Sequence, residues 1–452
     1  MNKLLVTGAI MAVTGFSSQA VSTGHEAQLD ALQNEILKIK QEMSSDKSKA
    51  YFAKGKGMSI KSADGKYSFQ IKGRAMYDVS TVASGNIING GSDQETFGTE
   101  FRRLRFSLRA KVGDGWEFRF QPDFAETVSD NSNTSGKGVD VKDALISKKL
   151  KGIGKLSFGN VKSAGGMWEN TSSNSILFME RPMYNETANL AHRSGIHYDT
   201  AGAFGKKNPF HLKATLAVGP EGGWRQEQEN SITGEQVALA VAAHYTHAMG
   251  KKHKLLLGGS YTRETHPDDG SRSVEARAQG VHTFGDKING GAVDFIESYS
   301  YGGPQIAYTN GPLFAAAEYY WITGERDAGA SPHDDFEGKG GAAFVHYFLT
   351  GGASVNIKEA KGGIGGVKCK AAMGCTAVKA MFEHIDTRDS EMATDGTHGK
   401  AVHIGVNHYF NSNVRLMVDA ARGIYLGGTD VVSRVTQRYT PTTVQARLHL
   451  KF

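Results

Sequence analysis

The run FRRLRFSLRAKVGDGWEFRFQPDF, residues 101–124, constrains this fold more than any other stretch. From Leu104 to Val112 every second residue is apolar, and Arg103, Arg105, Ser107, Arg109 and Lys111 stand between them. Gly113-Asp114-Gly115 signals a tight turn. Beyond it Trp116, Phe118, Phe120 and Phe124 alternate with Glu117, Arg119, Gln121 and Asp123. Strand side chains point to opposite faces with period two, so this is a hairpin with one oily face and one largely cationic face. A soluble sheet would lay the oily face on a core. A membrane barrel would turn it to lipid and turn the cations to an aqueous lumen.

The rest of the chain favours the barrel. Alternation recurs at 69–79, 210–218, 237–246, 402–410, 414–420 and 444–452, the last ending on Phe452. Short turns (113–115, 249–253, 411–413) alternate with long polar segments (81–100, 125–138, 219–235, 324–338, 423–441), as short periplasmic turns alternate with longer outer loops. Residues 67–452 then accommodate about 16 strands, a number that leaves a water-filled bore. Hydrophobic content of 39% suits a wet interior, and no apolar run reaches the ~18 residues of a membrane-spanning helix. The expected fold is all-β, a transmembrane antiparallel barrel of about 16 strands preceded by a short helix. Segment 350–376 resists this scheme: it falls on the short-turn side yet is too long for a turn. Either the strand count is off by one or the segment folds inward.

Upstream, Met1 to Ala20 reads as a secretory signal peptide, with Lys3, an apolar Leu4–Phe16 stretch and a small-residue site at Ser18-Gln19-Ala20. Over 25–49, Leu29, Leu32, Ile36, Ile39 and Met43 are spaced three and four apart. That is a short coiled-coil seam. It is too short to stand alone in water, which suggests a periplasmic trimeric coiled coil, or else a helix packing on or plugging its own barrel. Residues 50–66 read as a Gly/Lys/Ser-rich linker.

Residues 159–198, GNVKSAGGMWENTSSNSILFMERPMYNETANLAHRSGIHY, resemble the phosphate-selective porins of the porin O/P family. The hairpin at 101–124, AEYYWITGE, HYFLTGG and the stretch Asn411 to Asp419 are similar to further strands of that family. The resemblance implies a 16-stranded homotrimeric barrel whose third outer loop folds into the lumen, and an arginine ladder leading to a lysine-bearing anion site. It makes Arg74, Arg102 and Arg103 ladder members. It places Glu180, Arg181 and Arg193 with the constriction loop, and it leaves the central lysines unassigned.

Independently of the resemblance, Lys72, Arg74, Arg103, Arg105, Arg109, Lys111 and Arg119 share the polar parity of the first three strands. Guanidinium forks match phosphate and carboxylate oxygens, and successive weak sites permit conduction. Arg102 falls on the other parity and is expected at the strand end, above or below the bilayer. The competing reading is a solvated wall in which these arginines pair with Asp78, Glu117 and Asp123.

Cys369 and Cys375 lie close enough for a local disulfide in an exported protein. His266-Pro267-Asp268-Asp269-Gly270 and His333-Asp334-Asp335 read as solvated loops, and no metal or cofactor is expected. Without an HExxH, a G-x-S-x-G elbow or a P-loop, catalysis is not expected. The function that follows is passive diffusion of small, phosphate-like anions across the bacterial outer membrane. The alternative is a structural or adhesive barrel with a plugged lumen. Expected partners are small anions, outer-membrane lipid, two further copies of the chain and, through Phe452, the barrel-assembly machinery. Nucleic acid is not among them.

Overall fold

The structure is a computed structural model. It describes residues 30–38, 49–53, 57–84, 96–125, 138–201, 203, 208–218, 236–273, 292–326, 335–388, 397–429 and 436–452. Two units are distinguishable, residues 1–49 with 61–65 and residues 50–60 with 66–452. In the first, residues 30–38 are helical, and Leu32 and Ile36 of the expected seam are exposed. The signal peptide and the flanks of the expected helix lie outside the described residues.

The second unit is a barrel of sixteen strands: β1 (Tyr67–Ser84), β2 (Thr96–Val112), β3 (Trp116–Asp123), β4 (Asp140–Leu150), β5 (Gly154–Lys162), β6 (His192–Asp199), β7 (Phe210–Val218), β8 (Val237–Gly250), β9 (His253–Ser273), β10 (Ala292–Asn310), β11 (Leu313–Arg326), β12 (Phe336–Phe348), β13 (Cys375–Asp386), β14 (Thr397–Tyr409), β15 (Val414–Thr429) and β16 (Thr442–Lys451). Each pairs antiparallel with the next. Closure comes from β16 on β1, with Arg447 opposite Asp78 and Leu450 opposite Ala75. A closed sheet has no edge, so its strands pair their backbone groups with one another, as a membrane-spanning barrel must. The stretch expected as linker is not featureless. It carries short strands at Lys49–Ala53 and Gly57–Lys61, the second pairing with β1.

Three details show how the sequence achieves this. The turn after β2 has positive φ at Gly113, Asp114 and Gly115 (80°, 38° and 81°), a conformation open to Gly and tolerated by Asp. At the seam, Phe452 exchanges backbone hydrogen bonds with Gly73 at 3.1 and 3.2 Å. Its ring occupies the space a Cβ on Gly73 would need and meets Phe106 edge-on at 6.3 Å. The alternation also sorts as expected: Phe106 is 43% exposed on the outside while Arg103 is 4% exposed on the inside. Trp116 and Trp321 face outward, but Trp168 is fully buried within the lumen, so tryptophan alone does not mark the membrane interface here.

Candidate anion pathway

Two segments enter the bore from opposite ends. The first, residues 163–191 between β5 and β6, comes from the long-loop end. It carries one-turn helices at Met167–Asn170 and Tyr184–Thr187 and buries Trp168, Ile176, Leu177, Phe178 and Met179. Backbone buried this way needs partners, and the wall from β11 to β15 supplies them as side chains. Glu318 accepts from Trp168 N at 3.1 Å, Glu383 from Met183 N at 2.7 Å and Asp419 from Met179 N at 3.2 Å. In return Lys379 Nζ and Asn407 Nδ2 donate to Leu177 O at 2.8 and 2.9 Å, and Arg415 Nη1 donates to Ile176 O at 2.7 Å. Phe344 of β12 packs against Trp168 and Phe178, ring centroids 4.4 and 5.8 Å away.

Glu180, at the tip of that loop, is the anchor for the ladder arginines. Arg103 grips it at 2.7 and 2.8 Å, Arg447 at 2.8 Å and Arg102 at 3.3 Å. Burial would raise the Glu180 carboxyl, but Arg102, Arg103 and Arg447 hold it well below the ordinary carboxylate range. Arg447 also takes Asp78 through two 2.6 Å bonds. The expectation drawn from parity, that Arg102 lies at the strand end above or below the bilayer, was wrong. The β1–β2 register shifts between Met76–Arg103 and Tyr77–Phe101, and the extra residue of this bulge reverses parity locally, so Arg102 points inward beside Arg103.

The other predicted cations divide. Arg105 donates to Asp123 at 2.5 Å, Arg119 lies 3.4 Å from Asp143, and Arg109 pairs with Glu117. The pairing expected of a neutralised wall is found for Arg105 and Arg109; Arg119 goes to Asp143, which that reading did not name, and Asp78 goes to Arg447. Arg181 turns back into its own loop, bonding Trp168 O and Thr171 O at 2.9 Å. Arg193 is buried against Glu264 at 3.5 Å. Neither faces open lumen. Lys111 is exposed at the short-turn end of β2, and Lys72 is half-buried.

The second inward segment is residues 349–374, so the strand count was right and the segment folds into the bore. It forms a hairpin of Val355–Lys358 and Gly363–Val367 joined by a 3-10 turn, Glu359–Lys361. Gly362 is required at its tip: φ is +52°, and a Cβ there would sit 2.1 Å from His244. Ile364 N donates to Thr171 Oγ1 at 2.9 Å, so the two inward segments touch. Lys254 holds the hairpin through Glu359 at 2.7 Å, and Cys369–Cys375 form a disulfide at its base.

Between these segments and the wall from β1 to β7 lies a polar cavity of about 310 Å3. Arg74, Arg105, Arg119, Lys155, Lys162, Lys213, Lys358 and Lys361 line it, against only Asp143 and Asp199. Among the described residues Lys155, Lys358 and Lys361 have no carboxylate within 4 Å. Lys213 donates, among the described residues, to the carbonyls of Lys162 and Ser163, and Arg74 to Ser173. Burial, and then Lys361, hold Lys358 below the ordinary lysine range. Sequence reasoning placed Lys213 on a polar face and noted Lys358 and Lys361 in the segment that resisted the strand scheme, but assigned none of these lysines to the pathway. The signal was present in the inward parity of Lys155 and Lys213; their convergence with Lys358 was not.

A family model described as phosphate-selective porin O and P matches residues 69–452. No curated protein matches the chain in sequence. Among solved structures the chain is similar to an anion-selective porin from Comamonas acidovorans (12% identity, 85% of this chain and 100% of that one covered, TM-score 0.51). It is also similar to the in-vitro folded trimer form of OmpT from Vibrio cholerae (14%, 85% and 99%, 0.50) and to OmpF of Salmonella typhi in complex with daunomycin (11%, 86% and 98%, 0.50). At such identities the likeness speaks for the barrel alone.

Proposed function

The chain belongs to the phosphate-selective porin O and P family, and from that premise we propose that it passes small anions of the phosphate class by passive diffusion. The observation that carries this is the cavity between the inward segments and the β1–β7 wall, where lysines without carboxylate partners outnumber the acids. An anion entering a narrow pore loses water, which costs free energy unless donors replace it. Lys155, Lys213, Lys358 and Arg74, with Ser157, Ser172 and Ser173 beside them, offer replacement donors around one cavity. Multiple weak sites let an ion enter and leave. The arginines already bound to Asp123, Asp143 and Glu180 shape the bore and contribute less net field.

The wider arrangement proposed is a homotrimer exported by a cleaved signal peptide, with the N-terminal helix in the periplasm and Phe452 read by the assembly machinery. No catalytic step is part of it. Planar-bilayer recording of the purified protein tests the function. The expected result is stepwise conductance, a reversal potential biased to anions, and chloride current reduced by added phosphate. A closed lumen or a cation-biased reversal potential would refute it, and the first of these would favour the plugged barrel.

A further inference from the structure

On the lipid face of β11 and β12 the outward residues become small. Ala315 and Ala317 of β11 and Gly341 and Ala343 of β12 floor two hollows of about 560 and 570 Å3, which adjoin at Ala317, Ala343 and Phe382. Register arranges this surface in rows. Ala315, Val345 and Ala380 form the lowest, then Ala317, Ala343 and Phe382, then Tyr319, Gly341, His384 and Lys400, then Trp321, Lys339 and Asp386. From the Ala315 row to the Tyr319 row, four residues at ~3.4 Å each make the trough about 14 Å long, the scale of a medium-length acyl chain, and the Trp321 row stands above it. The trough rises toward the long-loop, outward end.

The chemistry changes sharply at the top. Tyr319 and Trp321 meet edge-on at 5.2 Å, and Tyr319 lies 5.5 Å from the His384 ring. Such aromatics sit at headgroup depth in outer-membrane barrels. Lys339 and Lys400 stand at that level, exposed and, among the described residues, without an ion-pair partner. The nearby carboxylate of Asp386 is already occupied by Arg388 at 2.8 Å and His398 at 3.3 Å. Glu337 stands one row further out, opposite Thr323.

The geometry points to a binding site for an outer-leaflet lipid that bears phosphate on its headgroup. Its acyl chain fills the alanine–glycine trough, and its phosphate lies between Lys339 and Lys400. A second copy of the chain is a poorer occupant, because an apolar barrel wall offers those two ammonium groups no anion. Long lysine stems lie along apolar surface and carry the charge to the headgroup plane. The site rests on the outer-membrane placement of the barrel and not on the selectivity of its lumen.

Native mass spectrometry of the full-length protein with bisphosphorylated lipid A tests it. The wild type should retain the lipid through detergent exchange. Lys339→Glu with Lys400→Glu should lower retention roughly tenfold or more, on the basis of the favourable contribution of each basic residue at an anionic surface. Ala317→Leu with Ala343→Leu should lower it without altering charge, and lipid A stripped of phosphate should bind the wild type weakly. Lipid retained by both double variants, or equal binding of the phosphate-free lipid, overturns the proposal. So does Ala343→Cys cross-linking to a second copy in membranes, since the trough is then a subunit contact. Bilayer conductance of the Lys339/Lys400 variant should match wild type. This separates failure here from failure of the channel reading and shows that the variant folds.

Discussion

The two halves of the bore use charge in opposite ways. From β11 to β15 the inward carboxylates Glu318, Glu383 and Asp419 are buried and accept loop N–H groups, so that half is dry and filled. From β1 to β7 the inward lysines meet a cavity, so that half is wet and carries field into it. Both walls alternate polar and apolar residues with the same period. What separates them is whether a loop covers the polar face. A covered charge becomes a dock, and an uncovered one is left facing the cavity.

The largest effect should come from breaking a dock. Glu383→Ala removes the acceptor of Met183 N and the partner of His403 at 2.6 Å. A buried unpaired donor costs about 1–3 kcal/mol, so the loop should loosen. Bilayer recording should show higher, noisier conductance, and heat-modifiability gels should show earlier unfolding. Unchanged traces and unchanged gels would mean the loop is held by packing alone.

Around the cavity, Lys155→Glu with Lys358→Glu should move the reversal potential toward cations by roughly tenfold in permeability ratio, about 1.4 kcal/mol, with little change in thermal stability. If stability falls and selectivity stays, these lysines belong to the scaffold instead. A smaller effect should follow from pH. Because the Lys358 ammonium is held below the ordinary lysine range, its charge is lost earlier as pH rises. Anion bias should therefore decline on the alkaline side, and Lys358→Gln should remove that part of the decline. An identical pH profile in the variant would assign the titration to another group.

The smallest effect is expected at a paired site. Arg109→Gln with Glu117→Gln removes both members of an ion pair near the short-turn end and leaves net charge unchanged. Selectivity should stay put, because Arg109 already faces its own counter-ion. A clear loss of anion bias would return the paired arginines to the pathway and erase the distinction between covered and uncovered charge.

Strand number, facing and the alternation of short and long connections were all legible in the residues, as was the inward loop through its resemblance. Period two is a local property: each residue's side follows from its neighbour's, so the hairpin at 101–124 could be read without any partner. Local reading failed at Arg102, where one bulged residue reversed the parity. It also failed at 349–374, where length excluded a plain turn but said nothing of the direction taken.

The sequence by itself determined which side of each strand meets water and that many cations would share that side. Only the tertiary structure decided which cations remain free. Arg447 reaches Asp78 across 369 positions and Glu180 across 267, whereas, among the described residues, Lys155, Lys213 and Lys358 line one cavity with no carboxylate within 4 Å. Ion pairing depends on distances of a few ångströms, and those distances are set by barrel closure and by two segments folding into the bore from opposite ends.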